Sequence, residues 1–325
     1  MGAPLRRPPP ASVAGMDAAV LTELGTPGFG TYDEPSAAGG QVVVDVAVAG
    51  LNPVDLTMAA GRFPGRPPEL PSVPGREGIG SVDGRRVYFT ATKPFGSMAQ
   101  RALAEEANLF DVPDELDDGV AVALGIAGLA AWLPLAWRAK VKEGETVLVM
   151  GATGVLGSIA VQAAKLLGAG RVVAAGRDAE GLERAARLGA DATVDLTATD
   201  DPTAAHLEAA GGEGPDVVID PVWGEPGAAA MRSLAPFGRH VQIGNSADPE
   251  LKLMAPEFRN NMSEVLGYTT FRVPTADQAD AYAALTTHAA AGRIQVDVER
   301  MPLADVAQAW ERQAAFAHRK LVLVP

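Results

Sequence analysis

Cysteine is absent from the 325 residues, which excludes disulfides, thiolate nucleophiles and thiolate-ligated zinc. Histidine is scarce: His206, His240, His288 and His318 are scattered, and no pair has the spacing of a local metal motif, so no metal is expected. No apolar run reaches the length of a membrane span, and the longest candidate, residues 120–135, is broken by Gly125, Gly128 and Pro134. Positive charge is in short supply, with 27 Lys and Arg against 40 Asp and Glu; the net charge of −13 disfavours non-specific binding to nucleic acid or an anionic membrane, both polyanions. A small molecule is therefore the expected partner, and composition without a targeting segment points to the cytoplasm. Residues 1–15 carry Arg6-Arg7 and then three prolines with no apolar stretch, which fails the signal-peptide pattern and reads as a disordered tail.

What is present is more specific. An apolar strand over Glu145–Met150 runs directly into Gly151-Ala152-Thr153-Gly154-Val155-Leu156-Gly157. Gly151 and Gly154 are expected to take backbone angles closed to other residues, and Gly157 to let the next helix pack against the strand. That helix, Ser158–Leu167, would aim its free N–H groups at phosphate. A second strand, Arg171–Ala175, completes a βαβ unit of the length that a dinucleotide fingerprint requires. The strand ends in Gly176 and Arg177 rather than in an acid that would hold ribose hydroxyls. A guanidinium there favours a 2′-phosphate, hence NADPH over NADH; the alternative use of Arg177 is to solvate a helix start, beside Asp178.

Around this unit the pattern divides. Residues 16–112 read as short strands and turns, with prolines at 64, 67, 68, 71 and 74 excluding a regular helix. From residue 120 strands alternate with helices, at 147–150, 172–175, 217–220 and 240–243, with a further strand at 265–271 and a helix over 275–292. That rhythm belongs to a doubly wound parallel sheet. The last residues, Lys320–Val324, form a strand able to return to the first domain. The expected fold is therefore α/β: a Rossmann domain, residues 124–272, inserted in a discontinuous, mostly β catalytic domain of residues 16–123 plus 273–325, with a cleft between them.

In order along the chain, Gly50-Leu51-Asn52-Pro53-Val54-Asp55, Pro74–Gly80, the glycine turn, Leu188-Gly189-Ala190-Asp191, Asp216–Asp220, Gly238–Gly244 and Arg319-Lys320-Leu321-Val322 resemble the medium-chain dehydrogenase/reductase superfamily. The chain is most similar to its zinc-free, quinone oxidoreductase-like branch, whose catalytic domain is GroES-like. In zinc-dependent relatives a histidine ligates the metal where this chain has Arg76, and a guanidinium is a poor ligand. The cysteine ligand near Asn52 and the four-cysteine lobe are also missing. Without a Lewis acid, alcohol dehydrogenation is demoted.

The resemblance implies a metal-independent enzyme that passes hydride from NADPH to a quinone or an activated C=C bond. Its candidates for catalysis are Asn52, as donor to the nicotinamide amide or substrate oxygen, Asp55, and Arg76, which would stabilise an enolate or anchor an acidic substrate. Against these stand a turn shaped by Asn-Pro-x-Asp and a salt bridge of Arg76 with Glu77 or Asp55. Val222, Ile243, Gly244 and Asn245, at carboxyl ends of strands, are expected at the cofactor, and Lys320 at one of its phosphates. Thr57, Gly128, Trp223, Tyr268 and Arg272 are the expected pocket residues; Thr57 and Gly128 replace larger groups of relatives and suggest a wider floor. Trp132 is expected to pack rather than to carry substrate. A homodimer through the edge strand 265–271 is implied. Two alternatives stay open: a tailoring reductase acting on one biosynthetic intermediate, and a non-catalytic NADPH-binding redox sensor or structural protein.

Overall fold

The computed structural model describes residues 15–63, 65 and 67–325. The expected tail at residues 1–15 lies outside them except for Gly15, which opens a strand; Pro64 is outside them as well. Strands β1 (Gly15–Val20) and β2 (Gly28–Asp33) form an antiparallel ribbon. Then come β3 (Gln41–Gly50), β4 (Glu77–Val82), β5 (Arg85–Thr90), β6 (Arg101–Glu105) and β7 (Phe110–Asp111). β4 and β5 join through Asp83-Gly84, both at positive φ, as a two-residue hairpin requires. Val44, Val87, Phe89, Ala102 and Ala104 are fully buried together in one cluster of this sheet.

The second half supplies β8 (Thr146–Met150), β9 (Arg171–Gly176), β10 (Ala192–Asp195), β11 (Val217–Asp220), β12 (Arg239–Gln242) and β13 (Glu264–Gly267). They pair, all parallel, in the order β10-β9-β8-β11-β12-β13. Val147–Met150 and Val172–Ala175 are buried without alternation, because helices cover both faces. The order reverses between β8 and β11, the crevice in which such sheets take ligands. The chain closes with β14 (Val298–Pro302) and β15 (Lys320–Val324), and β15 pairs with β3, so the C-terminus returns to the first sheet. The result is a Rossmann-like domain beside a GroES-like domain that draws on both ends of the chain.

Helix Ile126–Leu133 lies between the two sheets. It packs on helix Thr275–Ala290, where Tyr88, Phe110 and Tyr282 cluster, Tyr88 and Tyr282 with ring centroids 4.8 Å apart. Trp132 is buried against His288. The last parallel strand is shorter than residues 265–271. After Gly267 the Tyr268 hydroxyl turns inward toward the carbonyl of Leu129, and Thr270–Arg272 coil into a 3₁₀ turn ahead of Pro274. Among the described residues no helix is long and apolar enough to cross a membrane.

Candidate active site

At the end of β8 the chain turns through Gly151, at φ +61°, into helix Val155–Leu166. The three glycines divide the work differently from expectation. Gly151 alone adopts the left-handed region; Gly154, at φ −86°, is ordinary extended backbone. A Cβ on Gly157 would stand 2.3 Å from the Gly151 carbonyl oxygen, so only glycine lets the helix sit there. A Cβ on Gly154 would meet nothing closer than that oxygen, at 3.6 Å. The space it leaves lies before the first-turn N–H groups, where an incoming phosphate needs to approach. The turn therefore fits the pyrophosphate of a dinucleotide.

Strands β9 and β11 complete this end of the sheet. Gly176 is buried against Thr153, and a Cβ there would stand 2.6 Å from the Thr153 methyl. Arg177 follows and is exposed, while the Asp178 carboxylate caps its own helix by accepting from the Gly181 N–H. Two residues that local sequence does not mark join them. The Arg184 guanidinium donates to the carbonyl of Thr153, and His318 Nδ1 lies 3.3 Å from the same oxygen. They stand 31 and 165 residues from Thr153, so only the fold assembles the group. Across the switch point, the fully buried Asp220 carboxylate accepts from the N–H groups of Val222 and Trp223 and from His240 Nε2. This holds Trp223 at φ +59° and brings Val222 within 3.3 Å of the Cβ position of Gly151. Gly244 packs on Pro221, Ile243 is half-buried and Asn245 is exposed beside it.

The catalytic candidates are arranged around Glu77. Its carboxylate is fully buried and receives four donors: Asn52 Nδ2 at 2.8 Å, Lys320 Nζ at 2.7 Å, the Tyr88 hydroxyl at 3.0 Å and the Ile126 N–H at 2.6 Å. Each comes from a different element. Lys320 Nζ also donates to Asn52 Oδ1 at 2.7 Å and is 1% exposed, so it is a buried counter-ion and not a phosphate ligand as expected. A charge so enclosed requires this pairing. Asn52 is corrected too: both side-chain heteroatoms are engaged with Glu77 and Lys320, which makes it a positioning residue rather than a free donor. Burial and the Glu77 charge push the Tyr88 hydroxyl well above its ordinary pKa, so it stays a donor.

Asp55 and Arg76 stand next to this knot. Asp55 Oδ2 accepts from the Asn52 N–H at 2.8 Å, whereas the buried Oδ1 has no partner. Burial raises its pKa to about 7, with Glu77 adding to the rise and Lys320 and Arg76 opposing it. The expected salt bridges of Arg76 with Glu77 or Asp55 do not form. Its Nε is buried and unpartnered, and its guanidinium lies over the Phe271 ring, 5.1 Å from the centroid. Asp55 and Arg76 both line a cavity of about 260 Å³.

The expected pocket residues are dispersed. The Thr57 hydroxyl bonds back to Pro53 within its own helix. Gly128 does not widen a floor: a Cβ there would face Leu124 and Leu285, a helix–helix contact. Tyr268 is 8% exposed and bonded to Leu129 and Thr270, with burial pushing its pKa up to about 12. Trp223 borders a second, open hollow with Gln242 and Asn245. Arg272 is exposed.

Two family models match the chain, one described as an alcohol dehydrogenase GroES-like domain over residues 38–89 and one as a zinc-binding dehydrogenase over residues 155–286. The chain is 32% identical over 302 residues to one of the phenolphthiocerol/phthiocerol polyketide synthase polypeptides of Mycobacterium tuberculosis. That match takes in 88% of this chain but only 14% of the synthase polypeptide. A solved structure of a probable oxidoreductase from Mycobacterium abscessus is 31% identical, with a TM-score of 0.83 over 97% of this chain and 100% of that one. The quinone oxidoreductase of Thermus thermophilus, solved also as its NADPH complex, is 28% identical, with a TM-score of 0.82 over 95% of this chain and 100% of that one. The glycine turn, the paired domains and these likenesses place the chain in the medium-chain dehydrogenase/reductase superfamily, as a member of its quinone oxidoreductase-like branch.

Proposed function

We propose that this chain reduces a quinone or an activated C=C bond, with Asp55 and Arg76 serving the acceptor. The observation that carries this reading is that one cavity is lined by a permanent cation, Arg76, which has no ion-pair partner among the described residues, and by a carboxyl, Asp55, whose pKa burial raises. A bound nicotinamide supplies hydride to an electron-poor carbon. The electron pair displaced in the acceptor moves to its oxygen, where Arg76 offsets the charge. Asp55, whose pKa burial raises to about 7, supplies the proton that completes the reduction and is reprotonated from solvent. Asn52 and Lys320 position these groups by fixing Glu77 and the turn that carries Asp55. Gly151–Gly157, Gly176, Arg177, Val222, Ile243, Gly244 and Asn245 are assigned to the cofactor.

The likeness to a segment of a polyketide synthase favours a second reading, a reductase dedicated to one biosynthetic intermediate. Oxidation of NADPH, followed with a panel of simple quinones and enones, separates the two. Turnover of simple acceptors supports the first reading; inertness of all of them, with turnover of one complex enone, selects the second. Cofactor binding with no turnover on any acceptor overturns both. A homodimer through the edge of β13, where Val265 is 41% exposed, belongs to the same proposal, and a monomer mass on sizing chromatography would refute it.

A further inference from the structure

The 260 Å³ cavity is more than a gap beside Asp55. Its walls include Met58, Val73 and Ala59, and its charged groups are Asp55, Glu69, Arg76 and Lys93. Neither Arg76 nor Lys93 has an ion-pair partner among the described residues. The nearest acids do not compensate Arg76: Glu77 is committed to Lys320, and Asp55 turns one oxygen to the Asn52 N–H. Glu69 is exposed to solvent. The Nε of Arg76 is buried without an acceptor, so no protein group offsets its charge from that side. Asp55, itself 2% exposed, leaves Oδ1 without a partner. The rise of its pKa to about 7 keeps that carboxyl from acting as a full negative charge.

We propose that this cavity seats a carboxylate borne by the acceptor, held by Arg76 with help from Lys93, while the apolar walls take the adjoining hydrocarbon. This inference rests on the reductase reading and narrows it: the natural substrate is an acidic quinone or enone rather than a neutral one. A planar carboxylate matches one edge of the guanidinium fork and leaves the remaining N–H groups for the acceptor oxygen.

Isothermal titration of the NADPH-loaded protein with naphthalene-2-carboxylate and naphthalene-2-carboxamide tests it without requiring turnover. The carboxylate is expected to bind about tenfold or more tightly than the amide, the range of a charge-assisted hydrogen bond. Arg76→Ala should abolish that preference, and Lys93→Ala, at an exposed position that leaves folding intact, should reduce it about two- to threefold. Equal binding of the two probes by the unaltered protein overturns the proposal, as does a preference that survives both substitutions. If no acceptor oxidises NADPH while the carboxylate still binds through Arg76, the reductase reading falls and this site stands. If acceptors turn over and the probes bind alike, this site falls alone.

Discussion

Glu77 and Lys320, 243 residues apart in the chain, form an ion pair of 2.7 Å in which the two side chains are 0% and 1% exposed. The pair ties β4 to the last strand, and Glu77 reaches on to the N–H of Ile126 at the start of the helix between the domains. Removing one partner leaves the other charged and enclosed. Lys320→Met is expected to cost roughly 3–5 kcal/mol of stability, and the double variant with Glu77→Gln to recover much of it. Urea denaturation of the two single variants and the double variant against the parent measures both quantities; additive losses would show that the two residues are not coupled.

Asp55 makes stability depend on pH. Its pKa is about 7 in the folded protein against about 3.9 in an unfolded chain. Between those values the folded state holds a proton that the unfolded chain has released, so stability falls as pH rises through that window and stays low above it. The full effect is on the order of 4 kcal/mol. Asp55→Asn keeps an oxygen for the Asn52 N–H and loses the titration. The variant should match the parent near pH 4 and exceed it at pH 8, read as a difference in melting temperature. A variant less stable than the parent at pH 8 would contradict this account.

The glycine turn yields a paired test. Gly157→Ala places a methyl group 2.3 Å from the Gly151 oxygen and should destabilise the domain by about 1–3 kcal/mol as well as abolish NADPH binding. Gly154→Ala meets no protein atom inside 3.6 Å, so it should fold normally and lose affinity alone, by about tenfold or more. Melting curves with NADPH fluorescence titrations distinguish the two losses. Equal destabilisation by both substitutions would mean that Gly154 serves packing rather than phosphate.

Cofactor preference is expected to follow Arg177, which stands exposed just past Gly176 at the end of β9. Arg177→Ala should reduce the ratio of NADPH to NADH affinity by about tenfold, the scale of one charge-assisted hydrogen bond, with NADH affinity unchanged. Parallel titrations with the two cofactors read this directly. An equal loss for both would assign Arg177 to a part that the two cofactors share.

The sequence by itself determined the elements whose signals are local. Strand, glycine turn and helix over 146–166 follow from apolar runs and from glycine chemistry, and the parallel sheet follows from the alternation of strands with helices. The hollow before the helix N-terminus is legible in the same way, because it depends on a missing Cβ. What the tertiary structure decided is where the charged side chains went. Lys320 looks from sequence like a solvated lysine near a chain end able to reach a phosphate, and Arg76 like half of a salt bridge with its neighbours. β15 instead carries Lys320 into the first sheet, where Glu77 takes it, and that leaves Arg76 without its nearest acid. The pairing of a buried charge is settled by whichever opposite charge the fold brings within hydrogen-bond distance, and separation along the chain carries no information about that.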